Sequence, residues 1–241
     1  MELNEIVERD RFLWAELRLW SEMYWDAQKA RIGMENRKRS GTVDPDLVQL
    51  VIDPMKQSEK LLQKQMTKCY KRVVPEGIQN WQKDTPGMGD VLLPRLLGHL
   101  GHPRIATPKH WIPGSKNGDK RVLVEDGPYI RSVGQLWQFC GHGAVVHRRK
   151  GMTQEEALAA GNPTLKMLVH LMADSAIKSP GKYRKIYTMD RESRGETYNP
   201  DAKPEERWSK GELPKLHSHN RALRLVGKEI LKDLYDASEI A

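Results

Sequence analysis

Apolar residues recur at heptad spacing along the first part of the chain. They are separated by seven, four, three, four, three and seven residues, at Ile6, Leu13, Leu17, Trp20, Tyr24, Ala27 and Met34. This spacing predicts one long helix over residues 3–39 with a single apolar face. A basic cluster followed by Gly41 is typical of the end of a helix.

A second long helix is predicted to follow. Asp44-Pro45 and Asp53-Pro54 each combine an acidic N-cap with a proline suited to the first helical position. We expect the second pair to open a helix over about 54–73. The two helices then form a long antiparallel hairpin. Because an isolated helix pair buries little apolar surface, we expect homo-oligomerisation through residues 3–73, or packing on another partner.

The rest of the chain predicts a compact, mainly helical domain. Helices are expected over 78–103, interrupted by a tight turn, and over 132–140, 162–178 and 218–238. The stretches 104–131 and 196–214 are predicted as loops, the first with a hairpin turn at 116–119 beside a strand at 121–124. The predicted fold is therefore mainly α, with an arm at 1–75 and a helical domain at 76–241.

Composition excludes several classes of protein. Apolar residues make up 38% of the chain, and no run approaches the length that a membrane helix needs. The first 30 residues carry several acidic side chains, which is unlike a signal peptide. Two cysteines, Cys69 and Cys140, do not build a disulfide framework. We expect a cytoplasmic protein with no membrane partner.

Positive charge is concentrated in the middle of the chain. The sequence has 40 lysines and arginines against 32 acidic residues, a net charge of +8. Residues 76–195 hold 18 basic and 11 acidic side chains, which gives this segment +7. Such an excess is the expected footprint of a polyanionic partner. A well-solvated surface is the alternative explanation.

The segment Asp84–Leu93 resembles a helix-hairpin-helix motif, which occurs in many DNA-binding proteins without sequence specificity. Gly87 and Gly89 would let the turn adopt backbone angles closed to other residues, so that its amides point outward together at a phosphate. Lys83 and Arg95 would add ionic contacts. Pro94 departs from the motif, and the alternative is a plain tight turn between two helices.

Two further groups of cations are candidate phosphate contacts. Arg148, Arg149 and Lys150 follow one another in a predicted loop. Lys182, Arg184 and Lys185 form the second group and interleave with tyrosines at 183 and 187. Cations supply salt-dependent affinity, and aromatic rings can stack on bases. The alternatives are a solvated surface for the first group and tyrosines that anchor the second group to the core.

No pattern in the sequence indicates metal or cofactor chemistry. The histidines and cysteines lack zinc-finger spacing, and there is no Cys-x-x-Cys pair. Glu155 and Glu156 lie at the start of a predicted helix, where acidic residues suit the helix dipole. We therefore predict no metal site, no cofactor and no catalytic residue.

The order of these segments resembles the C-terminal part of the IS-one-ten family of insertion-sequence transposases, some of which are guided by a bridge RNA. The hairpin of residues 3–73 resembles the family's coiled-coil arm. Five short segments resemble family segments in the same order, namely Thr85–Gly89, Gln135–Gly141, Gly161–Lys166, Tyr183–Tyr187 with Arg194-Gly195, and Ala222–Lys228. The resemblance implies a helical domain that handles nucleic acid.

Departures from that family decide what the resemblance implies about activity. The family has a RuvC-like acidic domain, which has no counterpart in the chain, and a catalytic serine. No serine lies between His142 and Ala160, and Lys150-Gly151 stands at the nearest corresponding position. Lysine cannot serve as the hydroxyl nucleophile that forms an ester with a DNA end.

The resemblance therefore implies a protein that binds DNA or structured RNA by its backbone phosphates, without catalytic activity, and that is nucleoid-associated if bacterial. One alternative is a strand-transfer or nuclease subunit whose acidic catalytic domain lies on another chain. A second alternative is an assembly protein in which the arm drives oligomerisation and the basic surface has no binding role.

Overall fold

The protein is mainly α-helical, as the sequence predicts. The structure, a computed structural model, describes residues 3–107, 109–112, 122–143 and 160–239. Its helices are α1 Leu3–Ser40, α2 Pro45–Val73, α3 Glu76–Asp84, α4 Leu92–Leu100, α5 Val133–Phe139, α6 Pro163–Ala176, α7 Lys182–Glu192 and α8 Lys215–Ala237. Short strands run over β1 Ile105–Ala106, β2 Lys109–Ile112, β3 Val122–Glu125 and β4 Tyr129–Ile130.

The chain forms two compact units, and its path passes between them more than once. The first unit comprises Met1–Val74 with Leu93–His102, and the second comprises Pro75–Leu92 with Pro103–Ala241. The sequence assigned the whole of 76–241 to one domain, but α4 groups with the helical hairpin. The two helices predicted as one helix-hairpin-helix element, α3 and α4, consequently belong to different units.

Helices α1 and α2 form the predicted long hairpin of the first unit. Polar bonds at both ends and in the middle show that the helices run antiparallel. Lys38 donates to Gln49 near the connecting turn, at 2.7 Å, and Arg72 pairs with Glu16 at the far end. Between them, Arg31 binds Glu59 at 2.5 Å, and this bond lowers the pKa of the Glu59 carboxyl.

Helix α2 begins at the first of the two Asp-Pro pairs, so the predicted start at residue 54 is wrong. The Asp44 carboxylate accepts a bond from the Asp46 amide at 2.9 Å, which makes Asp44 the N-cap. Pro54 lies inside the helix. Its ring removes one backbone bond, but Val48 and Ile52 before it are buried, and their packing holds the first turns in the helix.

Helix α4 is buried on almost every side within the first unit. Leu93, Leu96 and Leu97 have no exposed surface. A Cβ atom at Gly98 would lie 2.8 Å from the Ser21 hydroxyl, so a larger residue would push α4 away from α1. Pro94 is tolerated because it stands in the first turn, where its missing amide would have no partner inside the helix.

Helix α8 is the centre of the second unit. Helices α3, α5, α6 and α7 all contact it. Its buried positions recur every three or four residues, at Ala222, Leu223, Val226, Gly227, Ile230, Leu231 and Leu234. They meet buried residues of α5 and α6, which include Leu136, Leu165, Leu168 and Met172. The amphipathic pattern in the sequence therefore located the core helix, which begins three residues earlier than predicted.

Two short antiparallel ribbons follow α4 along the chain and precede α5. Strand β2 pairs with β3 in a register that sets Lys109 opposite Glu125, and β1 pairs with β4 with Ile105 opposite Ile130. The strand predicted beside the hairpin turn is present as β3. The turn itself, at 116–119, lies outside the described residues.

Candidate nucleic-acid interface

The turn between α3 and α4 contains the two glycines predicted to hold a phosphate. Gly87 has φ of +86°, while Gly89 has no positive φ. A Cβ atom at Gly87 would lie 2.8 Å from the Ala176 Cα, and the Gly87 carbonyl accepts a bond from the Ser175 hydroxyl at 2.9 Å. Gly87 is therefore required for packing against α6. Gly89 is exposed, and a Cβ atom there would meet nothing within 4 Å, so this position carries no such constraint.

Both signs of charge lie beside this turn. A cavity of about 620 Å³ opens next to Thr85 and Pro86, and its lining includes Asp84, Asp233 and Asp236. Two of these aspartates are paired with lysines, Asp233 with Lys182 at 2.8 Å and Asp236 with Lys232 at 2.8 Å. Phosphate binding by the turn stays a prediction.

Arg95 is not available for the ionic contact that the sequence predicts. Its side chain is buried in the first unit, with 4% of the residue exposed, and its guanidinium lies 4.2 Å from the centre of the Trp25 ring. Burial lowers the pKa of Arg95. The prediction fails because α4 turns this side chain into the first unit and not toward solvent.

Tyr183 anchors α7 to α8 and does not present its ring for stacking. The residue is buried, and its hydroxyl donates to Asp233 at 2.7 Å. Burial, followed by this bond, raises the pKa of Tyr183. Lys182 shares the same carboxylate, so its charge is already balanced. Of the two explanations left open by the sequence, the structure supports the anchoring role.

Tyr187 is likewise part of a buried polar network. Arg191 donates to the Tyr187 hydroxyl at 2.6 Å and pairs with the buried Glu196. The same hydroxyl lies 2.7 Å from Nδ1 of His219, and the Arg191 guanidinium stacks on Trp208. This network ties the loop after α7 to α8, so Tyr187 has a structural role.

The other predicted cations lie in different surroundings. Arg184 donates to the Ile177 carbonyl at 2.8 Å and stacks on a tyrosine ring, whereas Lys185 is exposed. Lys83 is also exposed, with its ammonium 3.5 Å from the Asn80 side chain. The predicted contacts Arg148, Arg149 and Lys150 lie outside the described residues. Lys185 and Lys83 are therefore the described candidates whose charge faces solvent.

A cluster of cations that sequence reasoning missed lies where α5, α6 and α8 meet. Lys166, Arg224 and Lys228 all act electrostatically on the buried imidazole of His142. Arg224 donates to the carbonyls of His142 and Gly143, and Lys228 lies 4.9 Å above the ring of Trp137. We call Lys166, Arg224 and Lys228 the α6–α8 cation cluster. The four-residue spacing of 224 and 228 was the available signal, because it puts both on one face of α8.

The two cations that α8 contributes to this cluster differ in their partners from Lys182, the predicted contact that carboxylates hold. Among the residues that the structure describes, neither Arg224 nor Lys228 forms an ion pair with a carboxylate. Lys166 lies at the same corner, since a Cβ atom at Gly141 would lie 3.0 Å from its Cβ, and burial followed by the charge of Arg224 lowers the pKa of Lys166. Like charges held near one another are stabilised by an anion between them.

The imidazole of His142, which lies beside the cluster, is uncharged. Its Nδ1 lies 3.0 Å from the Cys140 carbonyl and donates to it. Burial, followed by the charges of the three cations of the cluster, lowers the pKa of His142 to about 4. The imidazole therefore carries no charge at neutral pH, and the positive potential at this surface comes from the lysines and arginine.

No family model and no curated protein matches the chain. The resemblance to the transposase family therefore stays a prediction. Among the described residues, no group of three or more histidine, cysteine or acidic side chains is placed to hold a metal ion. Within the same residues, no helix is long and apolar enough to span a membrane.

Gly87→Ala is expected to destabilise the protein, whereas Gly89→Ala is not. The first change forces a Cβ into Ala176 at a positive φ, which should cost about 1–3 kcal/mol of unfolding free energy. The second changes an open position, so its effect should stay within about 0.5 kcal/mol. Chemical denaturation of both variants measures the difference. Equal stability of the two variants would contradict the packing role of Gly87.

The stability of the protein should fall in acid through His142. Its pKa is about 4 when folded and about 6.5 in an unfolded chain, so the stabilisation is complete above pH 6.5 and is lost as the pH falls toward 4. The full loss amounts to about 3 kcal/mol. His142→Gln should flatten this part of the curve of unfolding free energy against pH. Parallel curves for the variant and the wild type would contradict the assignment.

Proposed function

We propose that the protein binds nucleic acid through its backbone phosphates, with the α6–α8 cation cluster as the main contact of the second unit. The observation that carries this proposal is the convergence of Lys166, Arg224 and Lys228 around a neutral His142. The cluster takes the place of the glycine turn in this proposal, because Gly87 is committed to packing against α6.

Phosphate is the anion class that fits this surface. Cations at the edge of a fold contact the sugar-phosphate strand and do not read bases, so affinity depends on salt and little on sequence. The exposed Lys83 and Lys185 extend the positive surface of the same unit. The excess of basic residues over 76–195 supports the same class of partner. DNA and structured RNA share this chemistry.

Removing two cations of the cluster should weaken binding and its salt dependence together. The double variant Lys166→Gln with Lys228→Gln is expected to bind a labelled duplex more weakly. Each lost phosphate contact to a duplex removes about 0.9 from the slope of log affinity against log salt, so the slope should become shallower by about 1.8. Titrations at several salt concentrations measure both quantities.

A matched variant controls for net charge in this experiment. Lys203→Gln with Lys210→Gln removes the same charge from exposed positions of the loop between α7 and α8. We expect this variant to keep nearly the wild-type slope. An equal loss in both variants would show that only net charge matters, and affinity without salt dependence in the wild type would overturn the proposal.

We further propose that the arm holds two copies of the chain together. Apolar residues remain exposed on the outer side of α2, at Leu47 (58%), Leu50 (71%), Val51 (41%) and Leu61 (58%). Leu50 and Val51 follow Leu47 by three and four residues, and Leu61 follows Val51 by ten, so all four lie on one face, as in a coiled-coil seam. Such a face is self-complementary when two hairpins meet.

Polar residues in this seam should separate the copies. Leu50→Gln with Leu61→Gln is expected to shift the protein from dimer to monomer in sedimentation equilibrium, because it removes apolar surface from the proposed interface. Lys56→Gln with Lys60→Gln changes exposed positions of the same helix away from the seam and should leave the dimer intact. A wild-type protein that sediments as a monomer at micromolar concentration would contradict the proposal.

A further inference from the structure

Four lysines form a stripe along α2. They belong neither to the motifs found in the sequence nor to the α6–α8 cation cluster. Lys56, Lys60, Lys64 and Lys68 follow one another at intervals of four residues, and all four are exposed. Among the described residues, none of them forms an ion pair with a carboxylate. Glu59, an acidic residue of the same stretch, is held by Arg31 of α1. We call these four residues the lysine stripe.

The stripe is costly for the helix that carries it. Like charges four residues apart on a helix repel one another and destabilise it, and the stripe contains three such pairs. Helix α1 shows the opposite arrangement, since Arg18 pairs with Glu22 at 2.8 Å and Arg31 pairs with Glu35 at 2.9 Å, both at four-residue spacing. One helix of the arm neutralises its charges, and the other exposes a line of them.

Geometry makes the stripe a continuous positive ridge. At 1.5 Å of rise per residue, twelve residues from first to last lysine span about 18 Å. With 3.6 residues per turn, Lys56 and Lys60 lie more than about 100° around α2 from the centre of the exposed leucine face, whereas Lys68 follows Leu61 by one heptad and borders that face. Lys56 and Lys60 therefore remain open when a second hairpin covers the leucines.

We propose that the lysine stripe is a second phosphate-binding surface, which holds a nucleic-acid strand along the arm. That the partner is a nucleic acid rests on the proposed function. The lysine stripe itself is a separate observation, made in the first unit. A row of exposed ammonium groups fits a linear polyanion, because each lysine presents a compact charge with donors that rotate to suit a phosphate. Contacts to backbone phosphates carry no sequence information, so we expect binding along the stripe to depend little on sequence.

Three substitutions in the full chain test the stripe. Lys60→Gln, Lys64→Gln and Lys68→Gln together should make the slope of log affinity against log salt shallower by about 2–3, measured with a labelled duplex. The matched control Lys29→Gln, Arg37→Gln and Arg39→Gln removes the same charge from exposed positions of α1. The control should keep the wild-type slope. Lysine-to-glutamine changes on an exposed helix face are expected to leave folding intact, which circular dichroism checks.

The outcomes separate this inference from the proposed function. If the wild type does not bind nucleic acid, the proposed function fails. If the wild type binds, and the triple lysine variant binds with an unchanged slope while Lys166→Gln with Lys228→Gln weakens binding, the stripe is not a phosphate surface. The stripe is equally excluded if its variant and the α1 control lose affinity to the same extent. A shallower slope in the stripe variant alone supports the proposal.

Discussion

The close approach of α8 to the corner between α5 and α6 is the contact on which the second unit depends. A Cβ atom at Gly227 would lie 2.8 Å from Nε2 of His142 and 2.9 Å from Cγ1 of Val169, so a larger residue would separate the elements. Because α8 passes this close, its cations at 224 and 228 meet Lys166 of α6 around one imidazole. The packing that builds the core therefore also creates the strongest positive surface described in this unit.

Each unit has an apolar surface that forms its core and a positively charged surface that remains exposed after folding. In the arm, one apolar face of α2 packs against α1, while further apolar residues and the lysine stripe are exposed on the rest of its surface. In the second unit, α8 buries one face and keeps cations at its edge. Some buried charges are neutralised locally, as the Arg191–Glu196 pair shows, whereas the buried Arg95 lies against the Trp25 ring.

Local signals predicted most of the helices but not α7, and they did not show which helices pack together. Heptad spacing located α1 and the amphipathic pattern located α8, because periodicity depends only on the sequence within the helix. The start of α2 was wrong, because two Asp-Pro pairs offer the same capping chemistry and only burial of Val48 and Ile52 selects the first. The helix-hairpin-helix resemblance described two helices and a turn, but it could not show that α4 packs with the arm, since that depends on contacts distant in sequence.

The sequence by itself determined the mainly helical fold, the long hairpin and the positive balance of the chain, because these follow from spacing, capping residues and charge. The tertiary structure alone decided which charges are usable. Arg95 and Arg184 are equivalent candidates in the sequence, yet Arg95 lies buried over Trp25, whereas Arg184 is only half-buried. Lys166 joins Arg224 and Lys228 only in the folded chain. The physical reason is that the effect of a charge depends on burial and on neighbouring charges, and folding fixes both.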